Sequence, residues 1–195
     1  MGQHFGHKTD EHFGRGLIVL LKKLNISSVT DFGCGNGAYV SLIYKHGIIA
    51  DGFDGNPETG QLDISGGHCI GPVDLTSELL RPWNLSDAVI SIEVGEHIPV
   101  HLSESFINNL AGNARKVIIL SWGIPGQGGK GHVNGQTAKA IAEKMQERGW
   151  MKNEKFTMFL QEIAQFHYLK RNLQVFYKCG SVEMCTEFLN IDLTY

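Results

Sequence analysis

The stretch VTDFGCGNGAYV, residues 29–40, constrains the fold of this chain more than any other. Val29 to Phe32 have the β-branched and aromatic character of a short buried strand, and the run stops at Gly33. Gly33, Gly35 and Gly37 then alternate, a spacing that permits a tight turn and a close approach by a ligand, since a side chain would crowd that route. A helix is expected over Ala38 to Lys45, and GIIADGFD, residues 47–54, reads as a second strand with Asp54 near its C-terminal end. The result is a βαβ unit. The backbone N–H groups that open its helix are suited to an anion or the polar edge of a cofactor.

The rest of the chain continues the alternation. RGLIVLLKKL, residues 15–24, has a helical apolar face with Lys22 and Lys23 near its end. The glycine-rich residues 55–75 wrap a sheet edge around a short strand, DAVISIEV (87–94) is a buried strand, and HLSESFINNLAGN (101–113) a helix. KVIILSW (116–122) is another strand, 137–148 carry helical signals, EKFTMFLQEIAQFHYLK (154–170) reads as a strand with a connection, and NLQVFYKC (172–179) as the last strand. Strands alternating with helices predict an α/β fold: a single doubly wound domain whose mostly parallel sheet is covered on both faces. At 195 residues, one compact domain is expected, with residues 1–24 as an N-terminal cap and first helix joined to a core of 25–195.

Charge and composition exclude several functions. With 17 basic against 20 acidic residues and a net charge of −3, no long-range attraction to phosphate polymers is implied, and no basic patch interleaved with aromatics appears. No apolar run is long enough to span a bilayer, and MGQHFGHKTDEHF lacks the apolar run of a secretion signal. Cys34, Cys69, Cys179 and Cys185 form no CxxC pair, so reduced thiols and a cytoplasmic setting are expected. Oligomeric state is not legible.

Gly33, Gly35 and Ala38 satisfy the GxGxxG/A pattern of dinucleotide sites, and Asp54 follows at the distance of a ribose-binding acid. A Walker A site is disfavoured because no GK[ST] follows. Asp31 with three alternating glycines, DFGCGNG, resembles the acidic first motif of small class I S-adenosylmethionine-dependent methyltransferases, and the resemblance covers almost the whole chain. It implies a Rossmann-like, seven-stranded sheet with an antiparallel final strand. It also implies a cofactor loop of Asp31, Gly33, Cys34, Gly35 and Gly37 beneath the methionine and ribose. Asp54, Gly55 and Asn56 would then stand at the ribose, Asp74 and Leu75 of PVDLT at the adenine, and Glu93 beside the cofactor. The implied reaction moves a methyl group to oxygen or nitrogen of a soluble small molecule and releases S-adenosylhomocysteine. Two alternatives stay open: an NAD-dependent oxidoreductase, and a noncatalytic interaction or cofactor-binding module using the terminal CGSVEMCTEFLNIDLTY.

Two segments are expected to carry the acceptor chemistry. EVGEHIP, residues 93–99, follows a predicted central strand, where open α/β sheets place ligands, and offers Glu93, Glu96 and His97 as catalytic candidates. SWGIPGQGGKGHVN, residues 121–134, offers His132 as a competing base and Trp122, Gln127, His132 and Asn134 as acceptor-binding groups. Histidine suits either role because its ordinary pKa is near neutrality. His12 and Phe13 are expected to face the cleft, so that truncation through Phe13 removes turnover and leaves the core folded. His4, His7, Asp10, Glu11 and His12 lack HExxH or cysteine-rich spacing, and no metal centre is expected. The absence of a DPPY-like motif disfavours nucleobase amines as acceptors.

Overall fold

The computed structural model describes residues 9–77, 85–178 and 191–193. Expectations resting on His4, His7, Cys179, Cys185 and most of the C-terminal stretch lie outside these residues.

The first helix, α1 (Glu11–Lys23), buries Phe13, Leu17, Leu20 and Leu21 along one face. Glu11 in its first turn and Lys22 and Lys23 in its last complement the helix dipole. Then follow β1 (Ser28–Phe32), α2 (Ala38–Lys45), β2 (Ile49–Phe53), α3 (Thr59–Leu62) and β3 (Cys69–Ile70). The second half comprises β4 (Ser86–Ile92), α4 (Ser103–Asn113), β5 (Ala114–Ser121), α5 (Ala138–Gln146), β6 (Met151–Lys152), α6 (Glu154–Ile163), α7 (Leu169–Asn172) and β7 (Gln174–Tyr177).

Among the described residues these strands form one seven-stranded sheet in the order β3-β2-β1-β4-β5-β7-β6. The pairings from β3 through β5 are parallel, whereas β7 runs antiparallel to both β5 and β6. The expected α/β fold with an antiparallel last strand is therefore present. Because side chains alternate across a strand, Ala88, Ile90, Val117 and Ile119 face a core built with α1, α2 and α6, while Val89, Ile118 and Leu120 face α4 and α5. From β1 the chain winds outward to β3, then crosses back to β4 on the other side of β1. That reversal opens a crevice at the C-terminal ends of β1 and β4, where such sheets bind ligands.

Two expectations are corrected here. Residues 154–163 are helical and not a strand: Phe156 and Leu160 lie on one buried face, and Asn153 caps the helix by accepting from the Phe156 N–H at 3.0 Å. The N-terminal segment is also no detachable cover. Phe13 is fully buried, and Asp10 caps α1 while its other oxygen accepts from the Gln165 and Phe166 N–H groups, both at 2.7 Å. Asp10→Ala leaves three N–H donors, one buried and two part-buried, without their acceptor and is expected to lower stability by about 2 kcal/mol, read by urea denaturation. Truncation through Phe13 is expected to unfold the core as well as end turnover.

Candidate active site

The turn after β1 is shaped by its glycines. Gly33, Gly35 and Gly37 all have positive φ (101°, 56° and 75°), and a Cβ on Gly33 would be driven into Val94. The Gly33 and Cys34 N–H groups bond to the Phe53 carbonyl at 2.7 and 3.1 Å, tying the turn to β2. Asp54 completes the attachment, with Oδ2 accepting from the Gly35 N–H at 2.7 Å and Oδ1 from the Asn56 N–H at 2.8 Å. Each carboxylate oxygen keeps a second lone pair for a ligand hydroxyl.

Asp31 lies at the end of β1, buried, with Oδ1 lacking a hydrogen-bond partner. Burial, with the charge of Asp54 adding to it, pushes its pKa up to about 8. An orphaned acid facing a cavity fits a cationic ligand. Cys34 also borders the cavity, but its sulfur is joined to Cys69 of β3 in a disulfide with a Cα separation of 6.4 Å. Reduced thiols were expected at both positions, and spacing could not reveal that the β2–β3 pairing brings Cys69 under the loop.

The cleft has two lobes. One is lined by Asp31, Gly33, Gly35, Tyr39, Glu93 and Tyr168, the other by Gly33, Asp54, Asp74, Leu75, Glu93 and His97. They meet at Gly33 and Glu93. In the second lobe Asp74 Oδ1 accepts from the Thr76 N–H and hydroxyl, which holds the carboxylate below its usual pKa range, and Asn109 donates to the Leu75 carbonyl at 2.8 Å. Gly55 also borders this lobe, whereas Asn56 Oδ1 accepts from the Glu58 N–H and builds the turn. Burial, then Glu93 and Asp10, push the Tyr168 phenol up to about 12.

Glu93 is held in a left-handed conformation, φ 55°, unusual for a residue with a side chain. Its Oε2 accepts from Gln127 Nε2 at 2.8 Å and its Oε1 from Asn172 Nδ2 at 3.0 Å, while Asn172 also donates to Gln127 Oε1 at 2.8 Å. Gln127, expected among the acceptor-binding groups, lies outside the residues lining either lobe and bonds to Glu93 and Asn172. Beside it Glu96 is fully buried, and burial, with Glu93's charge adding, pushes its pKa up to about 7. His132 Nε2 lies 3.9 Å from Glu96 Oε1, and the His97 and His132 rings meet edge to face at 4.9 Å. Burial pulls the His97 pKa down against the opposing pull of the Gly131 carbonyl. The two predicted segments thus converge on one cluster.

Four acceptor-binding expectations are corrected. Trp122 is buried beneath Gly95 and against Phe106, and its Nε1–H donates to the Asn134 carbonyl at 2.7 Å. Asn134 is buried too, donating to Ser103 Oγ at 2.7 Å and accepting from Gln136 at 2.7 Å. Both brace the loop from below. Phe13 packs edge to face on Tyr39 within the core, and His12 is exposed on α1, outside the residues lining either lobe. Sequence reasoning missed Asp10, Tyr168 and Asn172. Asp10 carried a readable signal, a capping acid before an amphipathic run. Nothing local marked the other two.

No protein-family model and no curated protein sequence matches the chain. Solved structures do. An O-methyltransferase family protein from Burkholderia thailandensis superposes at TM-score 0.62 with 13% identity over 85% of this chain, which spans 55% of that protein. Magnesium protoporphyrin IX methyltransferase from Synechocystis, with S-adenosylhomocysteine bound, matches at TM-score 0.62 and 16% identity, covering 87% of this chain and 83% of that one. A sugar N-methyltransferase from Streptoalloteichus matches at TM-score 0.62 and 14% identity, covering 91% and 97%. At such identities the likeness speaks for architecture alone, and in architecture the chain has the Rossmann-like fold of the class I S-adenosylmethionine-dependent methyltransferases.

Proposed function

We propose that the chain transfers a methyl group from S-adenosylmethionine to oxygen or nitrogen of a small molecule, releasing S-adenosylhomocysteine. The observation that carries this reading is a pair of adjoining lobes, sharing Gly33 and Glu93, in which Asp31, Asp54 and Asp74 stand around a turn of three positive-φ glycines. The cofactor, when bound, supplies an electrophilic methyl on a cationic sulfur. Asp31 answers that positive charge, Asp54 accepts from ribose hydroxyls, and Asp74 with Leu75 holds the adenine. Glu93, Glu96, His97 and His132 are the groups proposed to take the acceptor's proton, and the hydrogen bonds of Gln127 and Asn172 to Glu93 support a fixed orientation for it. Orientation of the acceptor by such a rigid frame contributes rate without a covalent enzyme intermediate.

The sheet counts against the nicotinamide alternative, because β7 is inserted antiparallel between β5 and β6, whereas dinucleotide folds continue parallel in the order 3-2-1-4-5-6. The test is transfer of label from methyl-labelled S-adenosylmethionine to a panel of phenols, amines and sugars. Acceptor-dependent label transfer with equimolar S-adenosylhomocysteine is expected. Hydride exchange with a nicotinamide cofactor instead would contradict the proposal.

A further inference from the structure

We propose that Glu96, His97 and His132 bind a divalent transition-metal cation at the edge of the cleft. Among the described residues these three bring ligand atoms within 4.8 Å of one another. The sequence predicts no metal centre, since the spacing of His4, His7, Asp10, Glu11 and His12 matches no metal signature and His132 lies far along the chain from Glu96 and His97.

Glu96 supplies the independent observation. Its side chain is fully buried, neither carboxylate oxygen makes a well-aligned hydrogen bond, and its neighbours are the Gly123 backbone and the carboxyl of Glu93. A carboxyl buried there is either neutralised by a proton or met by a cation, and the carboxyl of Glu93 beside it adds to the demand for positive charge. No lysine or arginine is paired with Glu96 among the described residues. The basic atom facing it is His132 Nε2, 3.9 Å from Oε1. That separation is too long for a hydrogen bond, yet lies within the roughly 2.9–4.2 Å spanned by two ligands on one ion with bonds near 2.1 Å.

The imidazoles are prepared in the same sense. His97 Nδ1 lies 3.2 Å from the Gly131 carbonyl, which can only accept, so the ring donates from Nδ1 and keeps its lone pair on Nε2. The Glu96 carbonyl accepts from the Val133 and Asn134 N–H groups at 2.9 and 3.0 Å, latching the His132 loop onto the turn that bears the other two groups. A Cβ on Gly129 would strike the His132 ring, so this glycine leaves the ring its place. The three ligand atoms, all within 4.8 Å of one another, already stand close to the spacing of a metal shell.

Two imidazole nitrogens and one carboxylate oxygen suit zinc, iron, cobalt, nickel or manganese better than calcium. Three protein ligands leave positions open for water or an acceptor oxygen. His97 also lines the lobe that contains Asp54 and Asp74, so such an ion would border the cofactor cleft. Its role beside an acceptor rests on the methyl-transfer reading; the binding of the cation does not.

The test uses the full chain, stripped with a chelator and titrated with zinc chloride by calorimetry, and with cobalt(II) by visible absorption. One cation per chain is expected, with affinity weakened at least 30-fold in His97→Ala and His132→Ala and at least 10-fold in the isosteric Glu96→Gln. His46→Ala, an exposed histidine elsewhere, is expected to bind as the wild type does. Circular-dichroism melts establish that each variant is folded, and binding of S-adenosylhomocysteine is measured separately. Zinc binding that is absent, or equal in wild type and the three folded variants, overturns the proposal. A zinc site lost in the variants of a chain that binds no S-adenosylhomocysteine upholds it and overturns the methyl-transfer reading instead.

Discussion

Replacing Asp54 with alanine is expected to weaken S-adenosylmethionine binding at least 100-fold, about 2.7 kcal/mol, measured by equilibrium dialysis. The effect has two physical sources. The carboxylate is the acceptor for the Gly35 and Asn56 N–H groups, at 2.7 and 2.8 Å, so its removal frees the glycine turn from the end of β2. Charge-assisted hydrogen bonds of this type contribute roughly 1.5–3 kcal/mol each, and the same two oxygens carry the lone pairs proposed for the ribose. Asp54→Asn separates the two, because an amide retains one acceptor and keeps the side chain's shape. It is expected to fall between wild type and Asp54→Ala. Equal binding by all three proteins would remove Asp54 from the site.

Asp31→Asn is expected to move stability and binding in opposite directions. Burial raises the Asp31 pKa from 3.8 to about 8, so the ligand-free folded chain holds a proton there at neutral pH that the unfolded chain has released. Stability therefore falls as pH rises through the window from about 4 to 8, by up to about 1.4 kcal/mol per unit, and the loss is complete above it. Asparagine carries no charge at any of these pH values. The variant is expected to melt at least about 10 °C above wild type at pH 8.5 and to differ much less near pH 4, in ligand-free melts followed by circular dichroism. A cationic ligand recovers the charge on Asp31 and displaces its proton, so wild type is expected to release a proton on binding S-adenosylmethionine at pH 7. Asp31→Asn is expected to lose both that release and at least tenfold in affinity. Identical melting at pH 8.5 would contradict the buried, orphaned placement of this acid.

The legible parts of the molecule were those governed by local periodicity. Continuous apolar runs in DAVISI and KVIIL marked strands buried on both faces, and the glycines of DFGCGNG marked a turn, whose φ angles are positive in the structure. Where apolar residues crowd together, as in FTMFL, period alone does not separate strand from helix, and the Asn153 cap decided in favour of helix. At the candidate site, residue type carried little information about direction. Trp122 and Asn134 share a loop with Gln127 and His132 yet point under it, because the space beneath Gly95 accepts the indole. Asn172 reaches Glu93 across 79 residues of sequence, and Cys69 reaches Cys34 across 35, separations that no local pattern announces.

The central claim, that this cleft holds S-adenosylmethionine, is tested most directly by calorimetric titration of the ligand-free protein with S-adenosylmethionine, S-adenosylhomocysteine, NAD and NADP. One molecule of either sulfur-containing ligand per chain, with no heat from the nicotinamide dinucleotides, is the expected result. Saturable binding of a nicotinamide dinucleotide in their place would contradict it.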